Sequence, residues 1–418
     1  MNMVSKVLII GAGIGQVPLC RLIKQRGLFL IVVTIPGDYP CIALADKVYY
    51  IDIYDREEIV RVAREENVNA VISDQNDLMM PTVAYVAERL GLPGNTFVQI
   101  NSYCNKNIFR ENCDKLSIPS PKHCKVHQRE IPADFTNIPF PWVVKPEDSQ
   151  SSIGVAKVDN EDEYFEALTF ALLKSKNKTA IVEEFFEGHE VVVEGFIYNG
   201  NYYNLGIADR KYFKLDRMFI PSQTIFPSVI STELKNRLID YEQVYTSYIH
   251  PNFAIVHSEY LINERTGEVR VVESALRGGG VYISSHLVPL FTGININDIL
   301  IDCALGKKID IQILCSRNIK KAAAYICFYL PEGIVKTVSG LEKIKQFPFV
   351  HQCDVSVEVG DEVKEMTYKG QRLGPVIISG ENLMDIEEKI CTIQEILEIK
   401  VQVKRRIVGI VWELKIEG

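Results

Sequence analysis

No apolar run in the sequence approaches the ~18 residues that a membrane-spanning helix requires. There is also no Cys-x-x-Cys pair and no His spacing of the zinc-binding kind. The 10 cysteines lie scattered along 418 residues. In a chain long enough to bury real cores, that pattern fits reduced thiols in a cytoplasmic protein rather than a disulfide scaffold. Positive charge is in deficit, with 46 Lys and Arg against 54 Asp and Glu and a formal net charge of −8. That balance argues against bulk attraction to nucleic acid or to an anionic membrane. Internal repeats and low-complexity tracts are missing as well. A secretion signal is not expected: Lys6 leads directly into Val7-Leu8-Ile9-Ile10-Gly11, which reads as a first strand. What remains is an ordinary globular composition, 47% apolar and 24% charged. The length favours about three domains.

Over residues 5–95 short apolar runs alternate with amphipathic stretches. Strands are expected at Lys6–Ile10, Leu28–Val33, Val48–Ile53 and Ala70–Ser73, and helices at Val17–Arg26, Ile59–Glu66 and up to Arg89. Asp55 with Glu58 three residues on reads as a capping box, and Gly91 as a helix stop. The alternation predicts a parallel, doubly wound sheet. Past Pro93-Gly94 a helix over Lys106–Lys115 is followed by a polar stretch, 117–141. Next come Trp142–Lys145, a loop, the strand Val155–Val158, the helix Glu161–Lys174 and the strand Ile181–Glu184. Asn199-Gly200, a pair suited to positive φ, marks a hairpin between Glu190–Tyr198 and Asn201–Ala208. Glu264-Arg265-Thr266-Gly267 turns a second one between Phe253–Ile262 and Glu268–Ser274. From about residue 310 the pattern is β-rich with few helices.

The loop Gly11-Ala12-Gly13-Ile14-Gly15-Gln16 follows a strand and opens a helix, as a dinucleotide loop does. Gln16 stands at the third glycine position, and Thr34-Ile35 where a ribose-binding acid belongs. Those departures favour a tight structural turn.

The second hairpin carries a sharper signal. Its turn places Glu259 and Glu273 nearly opposite each other, within a residue of register. Facing like charges destabilise a ladder, and the apolar surroundings (Phe253, Ile255, Leu261, Val269, Val271) add a desolvation cost. A hard divalent cation removes both problems, because Mg²⁺ takes carboxylate oxygens and brings phosphates as its remaining ligands. The alternative is an exposed edge hairpin with two solvated acids. Arg277-Gly278-Gly279-Gly280 follows at once, either a cation with an amide nest for an anion or a plain glycine loop before a helix. His257 shares the face of Glu259 and reads as a core residue or as support for that carboxylate.

Lys145 ends a buried strand and needs a partner, either a nucleotide phosphate or a structural acid. The loop Ser149-Gln150-Ser151-Ser152-Ile153-Gly154 is small and polar, suited to closing over phosphates or to plain solvent exposure. Asp209-Arg210-Lys211 is either a grip for a substrate carboxylate or a charged surface turn.

In this order and at these intervals, Lys106, Lys145, the 149–154 loop, Glu183-Glu184-Phe185-Phe186, Glu190, Glu259 and Glu273-Ser274-Ala275-Leu276-Arg277 resemble the ATP-grasp superfamily. The chain looks like the carboxylate–amine ligase branch near the L-amino-acid ligases. Biotin carboxylase, carbamoyl-phosphate synthetase and the purine-pathway ligases are cousins. The resemblance implies an α/β fold in three parts. These are a Rossmann-like N-terminal domain over 1–98 that does not bind NAD, ATP-grasp α+β central domains over 99–308 with a mobile lid about 117–188, and a small β-rich C-terminal domain over 309–418. It implies that Lys106, Lys145, Ser151, Ser152 and Gly154 contact ATP phosphates. Glu183 and Phe186 would hold the adenine edge, and Glu190 the ribose hydroxyls. Glu259 and Glu273 would hold Mg²⁺ or Mn²⁺, and Arg277 would stabilise the transferring phosphoryl group or acyl phosphate. Where the family pattern runs Glu-x-Asn-x-Arg, this chain has Ala275, which cannot ligate a second metal.

The implied activity is ATP-dependent formation of an amide or peptide bond from a small-molecule carboxylate, such as an amino acid, and an amine. No nucleic acid or membrane partner is implied, and a homodimer is the default assembly. A purine-pathway or bicarbonate-using enzyme and an ATP-binding module with degraded catalysis stay open.

Overall fold

The fold is that of a computed structural model describing residues 4–412, apart from 150–152, 216–218, 281, 316–320 and 367–368. The N-terminal part runs β1 (Lys6–Ile10), α1 (Val17–Gln25), β2 (Phe29–Thr34), β3 (Lys47–Tyr50), α2 (Arg56–Glu65), β4 (Ala70–Ile72) and α3 (Met80–Leu90). Its strands form a parallel sheet in the order β3-β2-β1-β4. Leu8, Ile9 and Val32 are fully buried, as expected where helices cover both faces of a parallel sheet. Gly91 stops α3 in the left-handed conformation at φ 64°. Only half of the expected capping box forms. Asp55 accepts from the Glu58 amide, but the Glu58 carboxylate goes to Arg61. A complete box sits instead at Thr96 and Gln99, opening α4 (Phe97–Cys104).

The glycine loop after β1 is a structural turn. Gln16 donates Nε2 to the Asp74 carbonyl at 2.5 Å, and a Cβ on Gly15 would stand 3.0 Å from that of Gln75. The chain's own Asp74-Gln75 thus packs against this loop.

Helix α5 (Lys106–Lys115) leads into a unit at the place expected of the lid, and so called below, made of β5 (His123–Val126), β6 (Trp142–Pro146), β7 (Ala156–Val158), α6 (Glu161–Lys174) and β8 (Ala180–Glu184). Its antiparallel sheet, β5-β8-β6-β7, closes a core of its own around Val126, Phe135, Trp142, Tyr164 and Leu168. A unit with a separate core is able to move as one body.

The largest sheet begins with β9 (His189–Tyr198) and β10 (Asn201–Tyr212), joined at Asn199 and Gly200 with φ 50° and 70°. It continues with β11 (Pro221–Phe226), then, after α7 (Thr232–Ile249), with β12 (Phe253–Asn263) and β13 (Glu268–Ala275). Helices α8 (Val288–Thr292), α9 (Ile296–Ala304) and α10 (Gln312–Cys315) follow. The remaining elements are β14 (Ala322–Phe328), β15 (Gly333–Ser339), α11 (Leu341–Lys345), β16 (Val350–Cys353), β17 (Glu362–Val363), β18 (Leu373–Gly380), α12 (Leu383–Ile396), β19 (Glu398–Val403) and β20 (Arg406–Val408). The eight-stranded order is β13-β12-β9-β10-β11-β14-β18-β16. Three strands beyond residue 309 therefore complete the central sheet, while β17-β15-β19-β20 form a small sheet of their own.

Alternation along β9 decides what each face carries. Val191, Val193 and Ile197 pack under α4 and α7, whereas Val192 and Phe196 join the core shared with α8, α9 and the N-terminal sheet. Glu190 and Glu194 fall on this second face, between apolar rows. No single helix among the described residues is long and apolar enough to cross a membrane.

Candidate functional site

Register puts the acidic residues together. Glu259 pairs with Glu273 across β12 and β13, and His257 pairs with Ala275 on one side and Glu194 on the other. A β-bulge between Glu259 and Tyr260 absorbs the single residue by which this pairing departs from the turn's own count. Neither acid is left as a bare charge. The Arg210 Nη1 group donates to Glu259 and, at 2.9 Å, to Glu190. Burial, and then the neighbouring Glu259, push the Glu190 carboxyl up to about 7. His257, also buried, bonds Glu194 through Nδ1 and stands 3.3 Å from Glu259 through Nε2. Burial works against its protonation, but the Glu194 carboxylate outweighs that and holds the imidazole above its ordinary value.

Arg277, just past β13, reaches back to the N-terminal domain. It clamps Asp77 bidentately, Nε to Oδ1 at 3.0 Å and Nη2 to Oδ2 at 2.6 Å, and lies 3.6 Å from Glu273. Burial opposes its charge, yet Asp77 and then Glu273 keep it firmly cationic. The glycines behind it are committed to the same junction. The Gly278 amide donates to the buried Asp74 carboxylate at 2.7 Å. A Cβ there would fall 2.0 Å from Ser284 Oγ. Gly278→Ala is therefore expected to destabilise the protein by ~1–3 kcal/mol through overpacking, seen as a lower melting temperature.

At the lid, Lys145 lies beside a structural acid while still lining the cavity. Its Nζ meets Glu183 Oε2 at 2.5 Å, and Arg110 Nε meets Glu183 Oε1 at 2.8 Å. Glu183 thus spends its side chain on two cations, which leaves only its backbone for other contacts. Despite complete burial, the Arg110 and Lys145 charges hold its carboxyl down to about 2. Lys106 bridges body and lid, donating to the Ser149 carbonyl at 2.7 Å. Ser151 and Ser152 lie outside the described residues. Gly154 has φ +77°, and a Cβ would stand 2.7 Å from Pro146 Cγ. Gly154→Ala is expected to cost ~1–2 kcal/mol in the lid, read as a lower melting temperature.

The segment leaving β8 forms the opposite wall. Phe186 lies under the Arg270 guanidinium at 4.8 Å, and Phe185 stacks near Phe219. Together these groups line a cavity of about 550 Å³ between lid and body, including Lys106, Lys145, Glu190, Glu259, Glu273 and Arg277. That volume is in the range of a cofactor-sized site. Among the described residues no group of three or more His, Cys, Asp and Glu is arranged to hold a metal. The donor set is the Glu259–Glu273 pair, which suits a cation completed by phosphate oxygens and water rather than an all-protein cage.

Asp209-Arg210-Lys211 is not a surface turn but part of β10, where alternation divides it. Arg210 enters the cavity, whereas Asp209 pairs with His189 and Ser228 and Lys211 is exposed. Sequence reasoning missed Asp77, and with it Tyr325 and Arg372 at the far wall. Asp77 stands 200 residues from its arginine partner, and nothing local marks it.

Residues 138–285 match the ATP-grasp domain, and residues 326–402 match C-terminal domain 2 of L-amino acid ligases. Alanine–anticapsin ligase of Bacillus subtilis is 25% identical over 280 residues, which cover 61% of this chain and 58% of that protein. The chain thus spans less than two thirds of the length of that relative. Among solved structures, the L-amino acid ligase from Bacillus licheniformis superposes with a TM-score of 0.82 at 21% identity, covering 96% of this chain and all of that one. The biotin carboxylase domain of Hydrogenobacter thermophilus 2-oxoglutarate carboxylase, a dimer complexed with MgADP, ADP and bicarbonate, gives 0.74 at 15% identity over 98% of this chain and 92% of that one. The chain therefore carries an ATP-grasp domain over residues 138–285 and, after it, over residues 326–402, a match to C-terminal domain 2 of L-amino acid ligases.

Proposed function

We propose that the protein is an ATP-dependent carboxylate–amine ligase, joining a small carboxylate, such as an amino acid, to an amine through an acyl phosphate. The observation that carries this reading is the in-register pair Glu259–Glu273 facing one cavity with Lys106, Lys145 and Arg277. A facing carboxylate pair with Lys106, Lys145 and Arg277 beside it, in a space of about 550 Å³, suits a nucleoside triphosphate with its metal. Glu259 and Glu273 would hold Mg²⁺ or Mn²⁺, which screens the triphosphate when bound. Ala275 supplies no oxygen, and His257 faces it across the ladder, so the protein itself offers one carboxylate pair.

The residues' tasks follow from their positions. Lys106 and Lys145 bind phosphate oxygens, Phe186 and the Glu183 backbone the base, and Glu190 the ribose. Arg277, fixed by Asp77, presents its guanidinium where charge develops on the transferring phosphoryl group. The substrate carboxylate attacks the γ-phosphorus, ADP leaves, and the amine then displaces phosphate. The lid, anchored by Lys106 to Ser149, excludes water that would hydrolyse the acyl phosphate. Like the biotin carboxylase relative, the protein is read as a homodimer that handles small molecules. Mass spectrometry of reactions with amino-acid pairs tests the reading. The expected product is an amide lighter than its two substrates by one water, formed with one ADP and one phosphate. ADP and phosphate without any amide would contradict it.

A further inference from the structure

The lining of the cavity runs along the central sheet from the acidic hairpin, β12 and β13, toward β10 and β14, and on that side includes Arg210, Tyr212, Lys214, Phe219, Tyr325 and Arg372. Arg372 precedes β18 and belongs to the region after the ATP-grasp domain. Its Nη1 donates to the Pro221 carbonyl at 2.6 Å and to the Tyr325 hydroxyl at 3.3 Å, and its guanidinium lies over the Tyr325 ring at 5.3 Å. Among the described residues no carboxylate forms a salt bridge with it, and the groups that act on its charge include Tyr325, Cys327 and the like-charged Arg210. Register across β10, β11 and β14 sets Arg210, Thr224 and Tyr325 side by side on the sheet face below it. Arg210 has spent Nη1 on Glu190 and Glu259, while its Nε and the Thr224 hydroxyl are buried without hydrogen-bond partners. A partly buried guanidinium without a counter-ion among the described residues is costly, and its planar fork matches a carboxylate.

We propose that Arg372, oriented by Tyr325, binds a substrate carboxylate that the reaction does not consume, and so selects an amine partner that is itself an amino acid. The proposal rests on the ligase reading. It separates two carboxylates by place, one activated beside Glu259, Glu273 and Arg277, the other held at the far wall. The domain after the ATP-grasp domain thereby contributes to substrate choice.

The test titrates the 20 amino acids, and the carboxamide of each that binds, against the full chain in Mg-ADP, by calorimetry and by melting temperature. The wild type is expected to bind at least one acid roughly tenfold or more tighter than its amide, as loss of a charged hydrogen bond implies. In Arg372→Gln that preference disappears, with Mg-ADP affinity changed less than about twofold because β9, β10 and β11 separate Glu259 on β12 from Tyr325 on β14, over which Arg372 lies. Arg372→Lys retains part of the preference, and Tyr325→Phe reports on orientation if the glutamine variant folds poorly. A dicarboxylate donor compared with its monoamide distinguishes a donor-side carboxylate from one on the amine partner. No binding across the panel, a preference that survives in Arg372→Gln, or displacement of the acid by inorganic phosphate would overturn the subsite. Turnover with the preference untouched by Arg372→Gln removes the subsite and keeps the ligase. Preference without amide formation removes the ligase and keeps the subsite.

Discussion

Glu273→Gln is expected to lower ATP turnover by roughly a hundredfold or more, since losing even a supporting group of a metal site costs 10–100-fold. Its melting temperature is expected to stay near that of the wild type. The asymmetry comes from where Glu273 stands. Its side chain is one third exposed, and its nearest cation, Arg277, is 3.6 Å away and already clamped by Asp77. Removing the charge therefore breaks little in the protein, and an exposed pair of this kind contributes little stability. What it removes is half of the carboxylate pair proposed to hold the metal. Turnover and ADP titration at several Mg²⁺ concentrations separate the two effects. Wild-type turnover in the variant would show that this carboxylate holds nothing needed for the reaction.

Glu183→Gln is expected to have the opposite signature, a large loss of stability. It would strand two cations, Arg110 and Lys145, which the carboxylate now neutralises with both oxygens at full burial. Breaking a buried pair by removing one partner costs ~3–5 kcal/mol. The pH dependence follows from the sign of the shift. The folded carboxyl titrates at about 2 against an ordinary 4.5. Its contribution is therefore complete above 4.5 and is lost as the pH falls through 4.5 toward 2. Denaturant unfolding between those limits should show a wild-type slope that Glu183→Gln lacks. A variant as stable as the wild type at pH 7 would mean that Arg110 and Lys145 find other partners.

Much of this site was legible before any coordinates, because its elements are local. The Glu259–Glu273 pairing follows from one turn and a period of two. The Asn199-Gly200 hairpin follows from the dipeptide, and Lys106–Lys115 opens as a helix as its pattern implies. The errors lie where partners are distant or where one feature has two uses. Glu58 was available to Arg61 on its own helix, so the expected reciprocal cap gave way to a salt bridge. Asp209 and Arg210 are neighbours in sequence but on opposite faces of β10, which a charged tripeptide does not reveal. Asp77 with Arg277, and Arg372 with Tyr325, are tertiary pairings set by sheet order. The pattern beyond residue 309 correctly reads as β-rich, yet period alone does not say that β14, β18 and β16 add to the central sheet.

The most direct test of the account is ADP and phosphate release from Mg-ATP across a matrix of carboxylate and amine pairs, wild type beside Glu273→Gln. The account predicts release that requires one particular pair, in equal amounts of ADP and phosphate, and that is nearly abolished in the variant. Mg-ADP binding without release above the variant for any pair would contradict it, leaving a nucleotide-binding protein that does not join these substrates.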